Sequence, residues 1–238
     1  MKETIHNNET CVFDPVKHTY TLSDGVKLPS ATTYAKKFFK EFDSLKISEA
    51  YARKNNLNQQ DVLDMWEAKR NKSAEFGTKC HKYAEDCIDL YKIHKTENCF
   101  LEPSNNHEIG IRDKLSEIVN NYDIVGQELI LFSRDMHLAG TADLLLSDKD
   151  TLYICDWKTN EEIKTSNKYQ KALDCLYTYD DCEYTKYMLQ LNLYLKMIQT
   201  EKYFDNFNKY KLVLFHVKDK IVKEIPLNVF PKYIMSRI

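Results

Sequence analysis

The chain has 238 residues, 43% hydrophobic and 29% charged; this suits one well-filled domain, or one domain with a helical subdomain, and excludes a largely disordered chain. With 34 Lys and Arg against 36 Asp and Glu, the net charge of -2 neither demands nor excludes a nucleic-acid partner. No apolar run is long enough to span a membrane and the N-terminal Met1–His6 holds no hydrophobic stretch resembling a signal peptide, so an intracellular protein without a membrane partner is expected.

Five glycines and five prolines leave most of the chain to regular structure. Residues 11–28 read as a small β-hairpin: Val12-Phe13 and the run from His18 to Leu22 are strand-like, and Asp24-Gly25 supplies a turn. Ser30 then caps a helical region over 31–42, 44–54 and 58–72, which carries Lys36, Lys37, Lys69 and Arg70. A long helix is expected over 73–95, where Phe76, Cys80, Tyr83, Cys87 and Tyr91 recur at intervals of three and four. Another covers 105–122. The period then changes to two, giving strands at 125–133, 137–147 and 151–159, the last two joined by the polar turn Asp148-Lys149-Asp150. After a charged stretch over 160–181, a helix covers 184–200, and strands at 211–218 and 220–226 precede a short terminal helix. The division expected is a hairpin and helical region over 1–72 and an α/β core over 73–238, with a mixed sheet flanked by helices.

The informative residues are Gly140-Thr141-Ala142-Asp143 and Cys155-Asp156-Trp157-Lys158-Thr159. Strand residues two apart share a face, so Asp156 and Lys158 point the same way. The intervening turn brings Asp143 nearly opposite them. Two carboxylates placed together raise each other's pKa unless a cation compensates. A hard divalent ion such as Mg²⁺ does so through carboxylate oxygens, polarising a phosphoryl oxygen and acidifying a water. An adjacent lysine can orient or deprotonate that water and offset charge on the phosphate. These parts suit phosphodiester hydrolysis.

G-T-A-D, twelve residues, then D-W-K-T resembles the core of PD-(D/E)XK nucleases, in particular the RecB-type and phage exonuclease branch. Gly77-Thr78-Lys79-Cys80-His81 with Glu85 resembles that branch's GxxxH…E helix. Glu128 resembles its acidic residue on the strand before the hairpin, and Gln190-Leu191-Asn192-Leu193-Tyr194 its QLxxY helix. With Leu28-Pro29-Ser30-Ala31-Thr32, the likeness covers about residues 28 to 225. It implies a restriction-endonuclease-like αβββαβ core and a Mg²⁺- or Mn²⁺-dependent DNA exonuclease of replication, recombination or repair, plausibly phage-encoded. Its DNA would be single-stranded or a duplex end. Asp143, Asp156, His81, Glu128 and the backbone carbonyl of Trp157 would serve the metal, and Lys158 the attacking water. Gln190 and Tyr194 would brace the site and contact DNA. Glu85 and Thr159 would act from behind the metal or on DNA, and the helical region would form part of a DNA passage.

Ala142 replaces the motif's proline. Some relatives hold an iron–sulfur cluster on four cysteines, three of them beyond the QLxxY helix; here no cysteine follows Cys182, so no cluster is expected. The seven scattered cysteines, without a CxxC pair, read as free thiols rather than disulfides or a zinc site. Taken singly, the site residues have ordinary readings. Asp156–Lys158 fits a surface ion pair, His81 a helix histidine paired with Glu85, Glu128 a solvent-facing strand residue, and Thr159 a strand end. The basic residues interleaved with Tyr34, Phe38, Phe39, Tyr51 and Trp66 suit either single-strand contact or a solvated face over an aromatic core. Two rival functions stay open: a structure-selective endonuclease of the same fold, and a catalytically silent nucleic-acid-binding module.

Overall fold

The computed structural model describes residues 2–238. Four short antiparallel strands come first: β1 (Lys2–His6), β2 (Glu9–Asp14), β3 (Thr19–Leu22) and β4 (Lys27–Leu28), paired in that order. The expected hairpin is therefore the middle of a larger sheet, and the N-terminal region is not purely helical. Strand β1 was invisible in the sequence because only Ile5 is a large apolar residue there, and its side chain is exposed.

Helix α1 (Ala31–Ala35) is capped by Ser30, whose hydroxyl accepts from the Thr33 amide. It is shorter than expected and ends in a single 3₁₀ turn at Lys36–Phe38. Helix α2 (Ser44–Asn55) follows, then α3 (Gln59–His94), 36 residues without interruption. Sequence reasoning divides α3 in two, with position 72 as a boundary, yet no glycine or proline lies between Gln59 and Phe76, and nothing breaks the hydrogen-bond ladder. Helix α4 (Asn106–Asn121) is capped by Asn105, whose side chain accepts from the amides of His107 and Glu108.

The core sheet has the order β5 (Asp123–Ser133), β6 (Leu138–Asp148), β7 (Thr151–Lys158), β8 (Lys209–Lys218), β9 (Ile221–Leu227). Strands β7 and β8 are parallel and every other pair is antiparallel. Parallel neighbours need a long crossover, supplied here by α5 (Glu183–Glu201). Helix α6 (Lys232–Met235) ends the chain. The mixed sheet flanked by helices agrees with a restriction-endonuclease-like core.

Two apolar layers hold the sheet. Cys80, Ala84, Cys87 and Ile88 of α3 and Ile111, Leu115 and Ile118 of α4 pack on Leu144, Leu146, Cys155, Trp157 and Phe215. The opposite face, with Leu145, Leu152, Ile154 and Leu212, packs on α5. The N-terminal sheet forms a third cluster, Cys11, Tyr20, Leu22 and Leu28 against Ile130, Phe132 and Ala139 at the ends of β5 and β6. Phe38 and Phe39 lie in the α5 layer, which settles those two aromatics as core. All seven cysteines are free. No helix among the described residues is long and apolar enough to cross a membrane.

Candidate metal centre

Besides a register shift between Ile124 and Gly126, regular strand alternation fails in the middle of the β5–β6 pair. Gln127 pairs with Leu144 and Leu129 with Ala142, so Glu128 and Asp143 stand opposite each other between them. The Gln127 amide reaches the Glu85 carbonyl on α3, 3.0 Å away, while Leu129 packs toward α5. Ala142 and Leu145 both pack toward α5 although they are three apart. In a regular strand each of these pairs would behave otherwise. Both strands thus change phase at Glu128 and Asp143. Glu128 achieves this with φ +48°, a left-handed conformation costing about 1–2 kcal/mol in a non-glycine residue. Such strain persists where surrounding contacts impose it, and it gathers at functional sites.

The break turns both carboxylates toward α3. His81 Nδ1 lies 3.3 Å from Asp143 Oδ2, and ligand atoms of His81, Glu128 and Asp143 all lie within 4.8 Å of one another. Ligands of one octahedral ion at the usual Mg²⁺–oxygen distance stand about 3 Å apart when adjacent and about 4.2 Å when opposed, so small side-chain adjustments would let the three atoms share an ion. One imidazole and two carboxylates form a donor set for a divalent ion, the carboxylates suiting hard ions such as Mg²⁺ and Mn²⁺. These residues, with Lys2, Gly77, Thr141 and Glu85, line a cavity of about 460 Å³. Gly77 lets α3 approach: a Cβ there would meet Thr159 Oγ1 at 3.2 Å.

Asp143 also accepts a hydrogen bond from the Trp157 amide, 2.9 Å from its Oδ2. The ladder between β6 and β7 stops at Leu144–Cys155, one position earlier, and this side-chain bond continues the join where backbone pairing ends. Trp157 is thus tied to the site through its amide. Burial, together with the Asp156 charge, pushes the Asp143 carboxyl up to about 7.

Asp156 does not belong to the three-ligand cluster. It is 2% exposed and faces α5. Gln190 Nε2 donates to its Oδ1 at 3.1 Å, and Lys158 Nζ stands 2.5 Å from its Oδ2 in a geometry that makes no proper hydrogen bond, leaving that oxygen without one. A buried carboxylate oxygen without a hydrogen bond is costly unless another partner compensates. Burial works to discharge Lys158, but the Asp156 and Asp143 carboxylates outweigh it and raise its pKa. The ammonium also sits over the Tyr187 ring, 4.7 Å from its centroid.

Gln190 and Tyr194, one turn apart on α5, are both buried. Gln190 donates to the Tyr194 hydroxyl at 3.1 Å, and the Tyr194 ring lies so close over Gly140 that a Cβ there would meet Cε1 at 2.5 Å. Glu85 pairs with Lys2 and Lys82 rather than with His81. Sequence reasoning missed Lys2, Tyr187 and Tyr20, whose hydroxyl lies 2.9 Å from Thr141 Oγ1. None of them belongs to a motif, and only the fold brings them here. Lys36 and Lys37 lie apart, exposed on the turn after α1. Lys69 and Arg70 line a second cavity of about 610 Å³ with Phe42 and Trp66.

No curated protein matches the chain. Residues 106–232 match the family model of the PD-(D/E)XK nuclease superfamily. That match covers more than half the chain and takes in the strands carrying Glu128, Asp143, Asp156 and Lys158 and the helix carrying Gln190. The chain belongs to the PD-(D/E)XK nuclease superfamily.

Proposed function

We propose that this protein is a Mg²⁺- or Mn²⁺-dependent deoxyribonuclease, acting as an exonuclease on single-stranded DNA or duplex ends in replication, recombination or repair. The observation that carries this reading is the convergence of His81, Glu128 and Asp143 beside the buried Asp156–Lys158 pair. His81, Glu128 and Asp143 would hold the ion. Asp156, whose Oδ2 faces the Lys158 ammonium, would join them, with the Trp157 carbonyl as a further donor. A bound divalent ion polarises a phosphoryl oxygen and acidifies a water.

The chain's own residues supply orientation and charge. The Trp157 amide fixes Asp143 and Gln190 fixes Asp156, so neither carboxylate has to be ordered at the moment of reaction. Lys158 is held as an ammonium by the two carboxylates. Beside a bound ion it would orient or deprotonate the attacking water and offset the charge growing on the phosphate. Tyr194 packs under Gly140 and holds Gln190 in place. Thr159, against Gly77, closes the end of β7 within reach of a substrate phosphate.

Membership of the superfamily implies a nucleic-acid substrate. Residues 31–72 carry nine Lys and Arg against six Asp and Glu, within a chain of net charge -2, so this segment is the local basic face for phosphates. The Trp66 ring is 6.0 Å from Phe42 and 5.8 Å from Tyr51, and it shares its cavity with Lys69 and Arg70. Rings beside cations suit unpaired bases, which favours a single-stranded segment in a passage along α3. Lys36 and Lys37, exposed on the turn after α1, would offer further phosphate contacts.

End-labelled linear DNA, single-stranded and duplex, tests the reading in EDTA, Mg²⁺ and Mn²⁺. Release of labelled short products with either ion, none in EDTA, and circular single-stranded DNA left intact are the expected results. Nicking of the circle would make the enzyme an endonuclease, and a binding shift without products would make it a silent binding module. Lys158→Ala is expected to lower cleavage by at least about 100-fold while DNA binding survives; turnover near the parent's would overturn the role given to Lys158.

A further inference from the structure

The mouth of the metal cavity already holds a cation. Lys2, on the outermost strand of the N-terminal sheet, places Nζ 2.9 Å from Glu85 Oε1 and 3.2 Å from Glu128 Oε2. The two carboxylates come from different elements, α3 and β5, and both line the same cavity as His81 and Asp143. Glu128 is also one of the three clustered ligands, so the ammonium and a divalent ion would draw on the same carboxylate. Glu85, outside the cluster, keeps a second lysine, with Lys82 Nζ 3.3 Å away.

We propose that Lys2 is a tethered counter-ion of the metal centre, which neutralises Glu128 until a divalent ion enters and then turns its freed charge to a substrate phosphate at the same mouth. This rests on the metal-dependent reading above. The physical basis is mutual exclusion. An ammonium and a divalent ion both need the Glu128 oxygens, and two cations sharing one carboxylate repel each other. Lys2 is nonetheless well placed to let go. Its side chain is 44% exposed, and its strand is paired on one side only, to β2, with Lys2 opposite Phe13. Release costs two part-exposed ion pairs, to Glu85 and Glu128, each weak at the surface, and the backbone pairing keeps the ammonium at the cavity. Glu85 retains Lys82, so departure leaves no uncompensated charge behind. Opposite the acidic floor, the displaced ammonium offers a positive rim that the rest of this cavity supplies only through Lys82.

The test is Mn²⁺ binding to the full metal-stripped chain, followed by calorimetry, with thermal melts recorded for every variant. Lys2→Met is expected to bind Mn²⁺ about two- to fivefold more tightly than the parent, the range that one exposed ion pair commands. Lys2→Arg, which keeps the charge, should return affinity to the parent value. In a Glu128→Gln background the advantage of Lys2→Met should disappear, because the competition is for that carboxylate. An affinity unchanged or weakened by Lys2→Met overturns the proposal while leaving the metal site intact; a parent chain that takes up no Mn²⁺ overturns both. For the second step, a single-stranded oligonucleotide is titrated at several salt concentrations in Ca²⁺. Lys2→Met should flatten the dependence of log affinity on log salt by about 0.7, one phosphate contact, and an unchanged slope overturns that step.

Discussion

At the residue scale, the centre is governed by who neutralises Asp143. Its ordinary pKa of 3.8 is pushed up to about 7 by burial and by Asp156. Between those values the folded metal-free chain holds a proton that the unfolded chain has released. Asp143 therefore makes the metal-free fold progressively less stable as pH rises from about 3.8 to about 7, with no further loss above that. A divalent ion binds the ionised form and opposes this. The rise in melting temperature caused by Mn²⁺ is thus expected to be larger at pH 8 than at pH 6, as scanning calorimetry would show; equal shifts would remove Asp143 from the ligand set. Lys158 has the opposite sign. Its pKa is raised, so the Asp156–Lys158 pair is fully present at neutral pH and is lost only as pH climbs above the ordinary lysine range.

At the element scale, close backbone approaches decide where the site residues stand. Tyr194 can brace Gln190 because position 140 has no side chain, and the 2.5 Å left for a Cβ is far below contact distance. Gly140→Ala is expected to cost about 1–3 kcal/mol, the usual penalty for overpacking, and to lower activity because the displaced ring carries Gln190 with it. Urea melts of Gly140→Ala, Tyr194→Ala and the double variant would check this: the double should cost less than the two singles added, and simple additivity would separate the two positions. Gly110 plays a similar part away from the site, where a Cβ would stand 2.8 Å from the Lys220 backbone and push α4 off the turn between β8 and β9. The phase change at Glu128 and Asp143 belongs to this scale too. A twofold period predicts that Asp143 and Leu145 share a face; the left-handed Glu128 and the end of the β6–β7 ladder undo that.

At the scale of the whole molecule, α3 links two cavities. One stripe of the helix, Trp66, Arg70, Ser73, Gly77, His81 and Glu85, advances by three and four residues, and so keeps one side. Its first half lines the aromatic and basic cavity and its second half the metal cavity. A strand cut at the metal centre would lie along this stripe. Replacing both Lys69 and Arg70 by Ala is expected to weaken binding of single-stranded oligonucleotides at low salt and to reduce the salt slope by about 1.4, two contacts at about 0.7 each; fluorescence anisotropy at several ionic strengths reads it directly. An unchanged slope would mean that the strand takes another route. The four-stranded N-terminal sheet is part of the same assembly rather than an appendage, since Tyr20 reaches Thr141 and Lys2 reaches Glu128.

Much of this was legible in the chain itself. The change of hydrophobic period located the helices and the three central strands, because burial on one face imposes a 3.6- or 2-residue repeat on any sequence that folds. The spacing of Asp143, Asp156 and Lys158 announced the family, because a hairpin of that length must bring its ends together. Unbroken α3 could also have been read, from the missing glycine and proline. What no local pattern encodes is contact between residues far apart in sequence. The pairing of Lys2 with Glu128, the turning of Asp156 toward Gln190 and the positive φ of Glu128 all depend on how sheet, α3 and α5 pack together. Those are energies of the assembled molecule, and they exist only once it has folded.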